Sequence, residues 1–178
     1  MKIKQLVVGE LEGNCYLLAS ENELVVIDPG DEAERILKEI EQLKAIPKYI
    51  IITHCHPDHV LAVSGIKKKT NVKILIHEEE QFSGCRADEF LKEGSKIKIG
   101  NTVLKVVHTP GHTLGSICLL GDNFIFTGDT LFENGYGRTD LPGGSYKQME
   151  NSLKRLSQLL KPSIMVYPGH GKSFNIKK

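Results

Sequence analysis

The chain has 178 residues, 40% hydrophobic and 25% charged, with 23 Lys+Arg against 22 Asp+Glu and a net charge of +1. That length suits one domain, 1–178, with its own core, and the balanced charge argues against a nucleic-acid binder, which carries a basic excess or stripe. No apolar run approaches the ~20 residues that span a bilayer, and the first apolar stretch is too short for a signal peptide. A soluble cytoplasmic protein is expected, with no nucleic-acid or membrane partner; nothing in the sequence indicates its oligomeric state. The four cysteines, Cys15, Cys55, Cys85 and Cys118, form no C-x-x-C unit and read as reduced thiols.

Residues 3–8, 15–19 and 24–27 are short apolar runs separated by Glu12-Gly13-Asn14 and Glu21-Asn22, which predicts strands and hairpins. Asp28-Pro29-Gly30 turns the chain. Ala33, Ile36, Leu37, Ile40 and Leu43 then fall at helical spacing, predicting a helix capped by Asp31. Tyr49-Ile50-Ile51-Ile52 predicts a strand buried on both faces. Val60, Leu61, Val63 and Ile66 suggest a short helix with the solvated end Lys67-Lys68-Lys69, and 72–76 returns as strand. This alternation points to an α/β class with partly parallel pairing. Residues 97–107, 116–120 and 123–126 read as strands, turning at Gly100-Asn101 and Gly121-Asp122-Asn123. Residues 145–160 form an amphipathic helix stopped by Pro162, and 164–166 a last strand. The sum is one layered domain with two sheets and helices outside.

Five of the seven histidines lie just beyond a short apolar run. Ile50-Ile51-Ile52 leads to His54, His56, Asp58 and His59; 103–107 leads through Thr109-Pro110-Gly111 to His112; Phe124-Ile125-Phe126 leads to Asp129; Ile164-Met165-Val166 leads to His170. Strands lying side by side would bring these groups to one edge, on the rigid support a metal site needs. His54 and His56 share one side of an extended segment, whereas Cys55 points away. Three imidazoles and a carboxylate within six residues make sense around a cation. Five imidazoles and two carboxylates exceed a closed tetrahedral site and fit two ions, with a carboxylate such as Asp129 able to bridge them. Nitrogen-rich ligation suits zinc, iron or manganese. His77 and His108 have no such company and read as structural or surface residues.

These segments carry a resemblance. Thr53-His54-Cys55-His56-Pro57-Asp58-His59, Thr109-Pro110-Gly111-His112-Thr113, Thr127-Gly128-Asp129-Thr130-Leu131-Phe132, Pro168-Gly169-His170-Gly171 and Val26-Ile27-Asp28-Pro29-Gly30 resemble, in order, the metallo-β-lactamase superfamily. The resemblance implies a four-layer αββα sandwich with a metal site at one edge. It implies that His54, His56 and His112 hold one divalent ion, zinc first, and that Asp58, His59 and His170 hold a second. Asp129 would bridge them, and Asp28 would orient the ligands. Gly128 to Phe132 followed by Gly137-Arg138-Thr139-Asp140-Leu141-Pro142-Gly143-Gly144 is similar to short, single-domain glyoxalase II-type hydroxyacylglutathione hydrolases. The implied reaction is hydrolysis of a thioester or ester, of the S-lactoylglutathione type, by a metal-bound hydroxide, with Asp58 catalytic and Arg138 a candidate anchor for a substrate carboxylate. Gly137-Arg138-Thr139-Asp140 also resembles persulfide dioxygenases, which would use one iron at His54, His112 and Asp129. A metal-containing electron-transfer or binding module is the alternative from another class.

Overall fold

The computed structural model describes residues 1–176, except for the side chains of 81–83. Three strands open the chain, β1 (Lys2–Val8), β2 (Gly13–Ser20) and β3 (Glu23–Ile27), followed by helix α1 (Ala33–Leu43) and β4 (Ile46–Ile51). Then come α2 (Pro57–Val60), α3 (Val63–Thr70), β5 (Lys73–His77), a 3₁₀ helix (Glu78–Ser83) and β6 (Glu89–Leu91). The second half runs β7 (Lys96–Ile99), β8 (Thr102–His108), β9 (Ile117–Leu120), β10 (Phe124–Gly128), α4 (Tyr146–Leu159), β11 (Met165–Pro168) and β12 (Phe174–Asn175).

Two six-stranded sheets result, ordered β1-β2-β3-β4-β5-β6 and β12-β11-β10-β9-β8-β7. The first is antiparallel through β3 and parallel from β3 to β6. The second is antiparallel except for β10–β11. Residues 97–107 are thus two strands, because Gly100, at φ 52°, reverses the chain between them.

Alternation along the strands sorts side chains into three cores. Leu18, Val25, Ile27 and Ile51 point inward to meet Leu104, Ile117, Leu119, Phe124 and Phe126 between the sheets. Their neighbours Leu17, Leu24, Val26, Ile50 and Ile52 point outward and pack with Ile36, Ile40 and Ile66 of α1 and α3. Across the second sheet Val107, Cys118, Ile125 and Val166 pack with Leu156 of α4. Helix, sheet, sheet and helix form the αββα sandwich, and Ile50 and Ile51 at the end of β4 are buried on opposite faces, as the apolar run there required. Among the described residues no helix is long and apolar enough to cross a membrane.

Two local expectations are corrected. Asp31 does not cap α1: Glu32 holds the N-cap position with φ 57°, so Asp31 lies outside the first turn and accepts from the Glu32 amide at 2.6 Å. The cysteines are not all thiols either. Cys55 and Cys85 form a disulfide, because the segment after β5 folds back over the loop after β4 and brings their Cα atoms to 6.1 Å. Cys15 and Cys118 are free and buried.

Candidate metal centre

The loop after β4 leaves the first sheet at Ile51, and the turns after β8, β10 and β11 leave the second beside it. Their side chains converge. One atom each from His54, His56 and His112 lie within 4.8 Å of one another, and so do atoms of Asp58, His59 and His170. Asp129 stands between the two groups. Its Oδ2 is 3.5 Å from His112 Nε2 and 3.7 Å from His170 Nε2, and its Oδ1 is 3.5 Å from His59 Nε2.

Glycine permits this crowding. A Cβ on Gly169 would stand 2.1 Å from Asp129 Oδ1 and 2.8 Å from His59 Cε1, and one on Gly30 would stand 1.8 Å from the Asp58 carbonyl oxygen. A side chain at Gly169 would intrude on the site itself, and one at Gly30 would displace the backbone that carries Asp58 and His59.

Hydrogen bonds choose which ring nitrogens face inward. Asp28 Oδ1 accepts from the Thr53 amide at 2.7 Å; its Oδ2 accepts from the Thr53 hydroxyl at 2.6 Å and from His59 Nδ1 at 3.1 Å. His59 Nε2 is thereby aimed at the centre. The Thr53 hydroxyl, having donated to Asp28, accepts from His54 Nδ1 at 3.1 Å, which leaves His54 Nε2 pointing inward. His112 Nδ1 donates to the Arg138 carbonyl at 2.7 Å, and its Nε2 lies 2.8 Å from His56 Nδ1. Asp28, His54 and His59 also form a compact triad, but the Asp28 oxygens are engaged by Thr53 and His59, so Asp28 serves as a support.

A cation fits this donor set. His54 Nε2, His59 Nε2 and Asp129 Oδ1 are buried with no hydrogen-bond partner among the described residues, an arrangement that is costly unless something binds them. The electrostatics agree. Burial, then the neighbouring imidazoles, hold His54 well below its ordinary pKa, and burial and His112 lower that of His56. Burial also opposes charge on His59, but the Asp28 hydrogen bond and the charges of Asp28, Asp129 and Asp58 outweigh it and raise the pKa to about 9. The hydrogen bond between His170 Nε2 and Asp58 Oδ2, 3.0 Å long, lowers Asp58 to about 2 and raises His170. One side of the centre thus offers neutral nitrogens, and the other draws in positive charge.

Arg138 stands apart: its guanidinium grips Asp140 through two 2.7 Å bonds, and both side chains are exposed, at 61% and 67%. Its contribution to the centre is the carbonyl that holds His112. His77 and His108 are not drawn in and stack on each other. Cys55 turns away into its disulfide. Two supports carry no functional signal in the sequence: Asn14, which reads there as a turn residue, and Tyr16. Asn14 Nδ2 donates to the carbonyls of Pro168 and Gly171 at 2.9 Å, and the Tyr16 hydroxyl donates to Pro168 at 2.6 Å, fixing the turn that presents His170. An asparagine at the end of a turn and a tyrosine in an apolar strand give no local sign of partners about 150 residues away. A cleft of about 480 Å³ opens beside His56, with Thr113, Leu114, Leu141 and Pro142 in its walls.

An αββα sandwich with clustered imidazoles and carboxylates at the sheet edge defines a class of metal-dependent enzyme folds. The chain belongs to the metallo-β-lactamase superfamily, whose family description matches residues 8–170. It is 33% identical to the hydroxyacylglutathione hydrolase GloC of Haemophilus influenzae, over 96% of this chain and 91% of that protein. Its fold is similar to ETHE1 from Myxococcus xanthus, with a TM-score of 0.90 and 31% identity over 98% of this chain and 80% of the other. It is also similar to TTHA1623 in a di-iron-bound form, with a TM-score of 0.85 and 31% identity over 97% and 94%.

Proposed function

We propose that the protein hydrolyses a thioester or ester of the glyoxalase II type, using two divalent metal ions, zinc first. The observation that carries this is the pair of convergent triads, His54/His56/His112 and Asp58/His59/His170, on either side of the Asp129 carboxylate. The likeness to a hydroxyacylglutathione hydrolase and to a di-iron protein supports the same reading. Bound there, such ions would supply Lewis acidity and a water acidified to about pKa 7.

The chain's own groups do the rest. Asp28, Thr53 and the Arg138 carbonyl hold His59, His54 and His112 in the tautomers that present the inward nitrogens. Asp58, anionic at neutral pH, accepts a hydrogen bond from the attacking water and turns its lone pair toward the carbonyl carbon. The cleft beside His56 receives the substrate, its walls of Leu114, Leu141 and Pro142 packing on the apolar part. Water adds to the carbonyl, the C–S or C–O bond breaks, and the products are a carboxylic acid and a thiol or alcohol. Arg138 would serve a substrate carboxylate only by releasing Asp140.

Asp58→Asn keeps the shape of the side chain and removes its charge. It is expected to lower kcat on S-lactoylglutathione by at least about a hundredfold while leaving the fold intact. Parent-like hydrolysis by this variant would remove Asp58 from the mechanism. Metal analysis of protein purified without added metal should find two ions per chain. One iron per chain, with oxygen uptake on glutathione persulfide, would replace this reading by the dioxygenase one. A redox-active metal pair without either activity would point to electron transfer.

A further inference from the structure

Outside the ligand set, one buried acid touches both loops that carry the three-histidine triad. Glu80 sits in the 3₁₀ helix after β5 and is 2% exposed. Its Oε2 accepts from the Cys55 amide at 3.2 Å, the peptide N–H between His54 and His56. Its Oε1 accepts from the Gly115 amide at 3.1 Å and from the hydroxyl of Thr113, which directly follows His112. We infer that Glu80 is a positioning residue of the metal centre, clamping the loop of His54 and His56 to the loop of His112.

The inference rests on the metallohydrolase reading and deepens it. The two loops leave different sheets, and the Ile117 amide on the Thr53 carbonyl at 3.0 Å joins them only at their base. Yet His56 Nδ1 and His112 Nε2 stand only 2.8 Å apart, and two nitrogens that are to meet one cation need that spacing held by their loops. A buried carboxylate is costly unless it is fully hydrogen-bonded, and hydrogen bonds to a charged acceptor are about twice as strong as neutral ones. Glu80 meets that condition by drawing donors from both loops at once.

The surroundings are built for this contact. The Ser116 hydroxyl donates to Thr113 Oγ1 at 2.7 Å and accepts from the Thr113 amide at 3.1 Å, which directs the Thr113 hydroxyl to Glu80. Residue 115 has to be glycine, since a Cβ there would stand 2.6 Å from Glu80 Cγ and 2.7 Å from the Glu80 amide nitrogen. Glu80 is not a ligand itself, because both oxygens are taken by protein donors.

The test titrates cobalt(II) into the metal-free protein and follows visible absorption, with circular dichroism as the control for folding. Glu80→Gln preserves size but puts an NH2 where one loop needs an acceptor. It is expected to fold like the parent and to bind cobalt at least tenfold more weakly in one of two steps, with an altered visible spectrum. Parent-like affinity and spectrum would overturn the inference. Should Glu80→Gln fail to fold, Thr113→Val removes a single donor and is expected to alter the spectrum in the same direction to a smaller degree. An unchanged spectrum in a folded Thr113→Val would equally overturn it. A parent that takes up no cobalt would overturn the metal reading as well, which separates the two failures.

Discussion

His77 shows what burial does to an imidazole outside the metal centre. It is 3% exposed, stacks on His108 with ring centroids 4.0 Å apart, and accepts the Glu79 amide on Nδ1 at 3.3 Å. That nitrogen must be unprotonated to accept. Burial first and His108 second hold the pKa of His77 down at about 4, and the nearby acids Glu78 and Glu93 offset only part of this. The unfolded chain, with a histidine near 6.5, therefore binds more protons between the two values. The contribution of His77 is complete above about pH 6.5 and is lost as pH falls toward 4. Asn at this position can still accept the Glu79 amide but does not titrate. In urea melts between pH 7.5 and 4.5, His77→Asn should lose stability less steeply than the parent, by up to one proton. Parallel curves would show that His77 is not buried in its neutral form. The imidazoles and carboxylates of the candidate metal centre titrate in both proteins and cancel in the comparison.

The 3₁₀ helix and the segment that follows it behave as one strap across the back of the metal loop. Besides Glu80, the strap is fastened by Cys85 to Cys55 and by Asp88, which accepts from the Ile74 amide at 2.8 Å and pairs with Lys67. A disulfide joining residues 30 apart in sequence restricts the unfolded chain enough to contribute about 3–4 kcal/mol in the loop-entropy account. Replacing both cysteines with serine should lower the urea midpoint correspondingly, and a reductant should do the same to the parent but not to the variant. Equal midpoints for parent and variant would mean that the strap is held by its polar contacts alone. None of this was legible in the sequence. Cys55 and Cys85 have no telling spacing, and their partnership depends on the fold of residues 78–88, which carry no hydrophobic period. Strands β6 and β12, of 3 and 2 residues, are too short to show one. The candidate metal ligands were legible for the opposite reason: each follows a strand whose apolar run can be read directly. The supports Thr53 and Glu80 lack that signal, because their meaning lies in partners about 25 to 35 residues away or in an adjacent loop.

At the scale of the molecule the candidate metal centre is a joint between the two sheets. His54, His56, Asp58 and His59 follow β4 of the first sheet, and His112, Asp129 and His170 follow strands of the second. Below them the sheets meet through apolar side chains. At the rim a few hydrogen bonds cross, such as the Asn14 amide to the Gly169 carbonyl at 2.7 Å and the Ile117 amide to the Thr53 carbonyl at 3.0 Å. Ions held by ligands from both sides would bind the native state far more tightly, since the unfolded chain keeps together only the four groups of residues 54–59. At a free ion concentration a thousandfold above Kd, each would stabilise the fold by about 4 kcal/mol. For a chain of this size 1 kcal/mol moves Tm by about 2–4 °C, so complete chelation should lower Tm by on the order of 10 °C or more. Asp129→Ala removes the carboxylate shared by the two triads. Its melting temperature should start lower than that of the metal-loaded parent and respond less to chelator. A parent whose Tm is unmoved after verified removal of metal would show that the protein's own contacts hold the sheets, and that the ions act on chemistry alone.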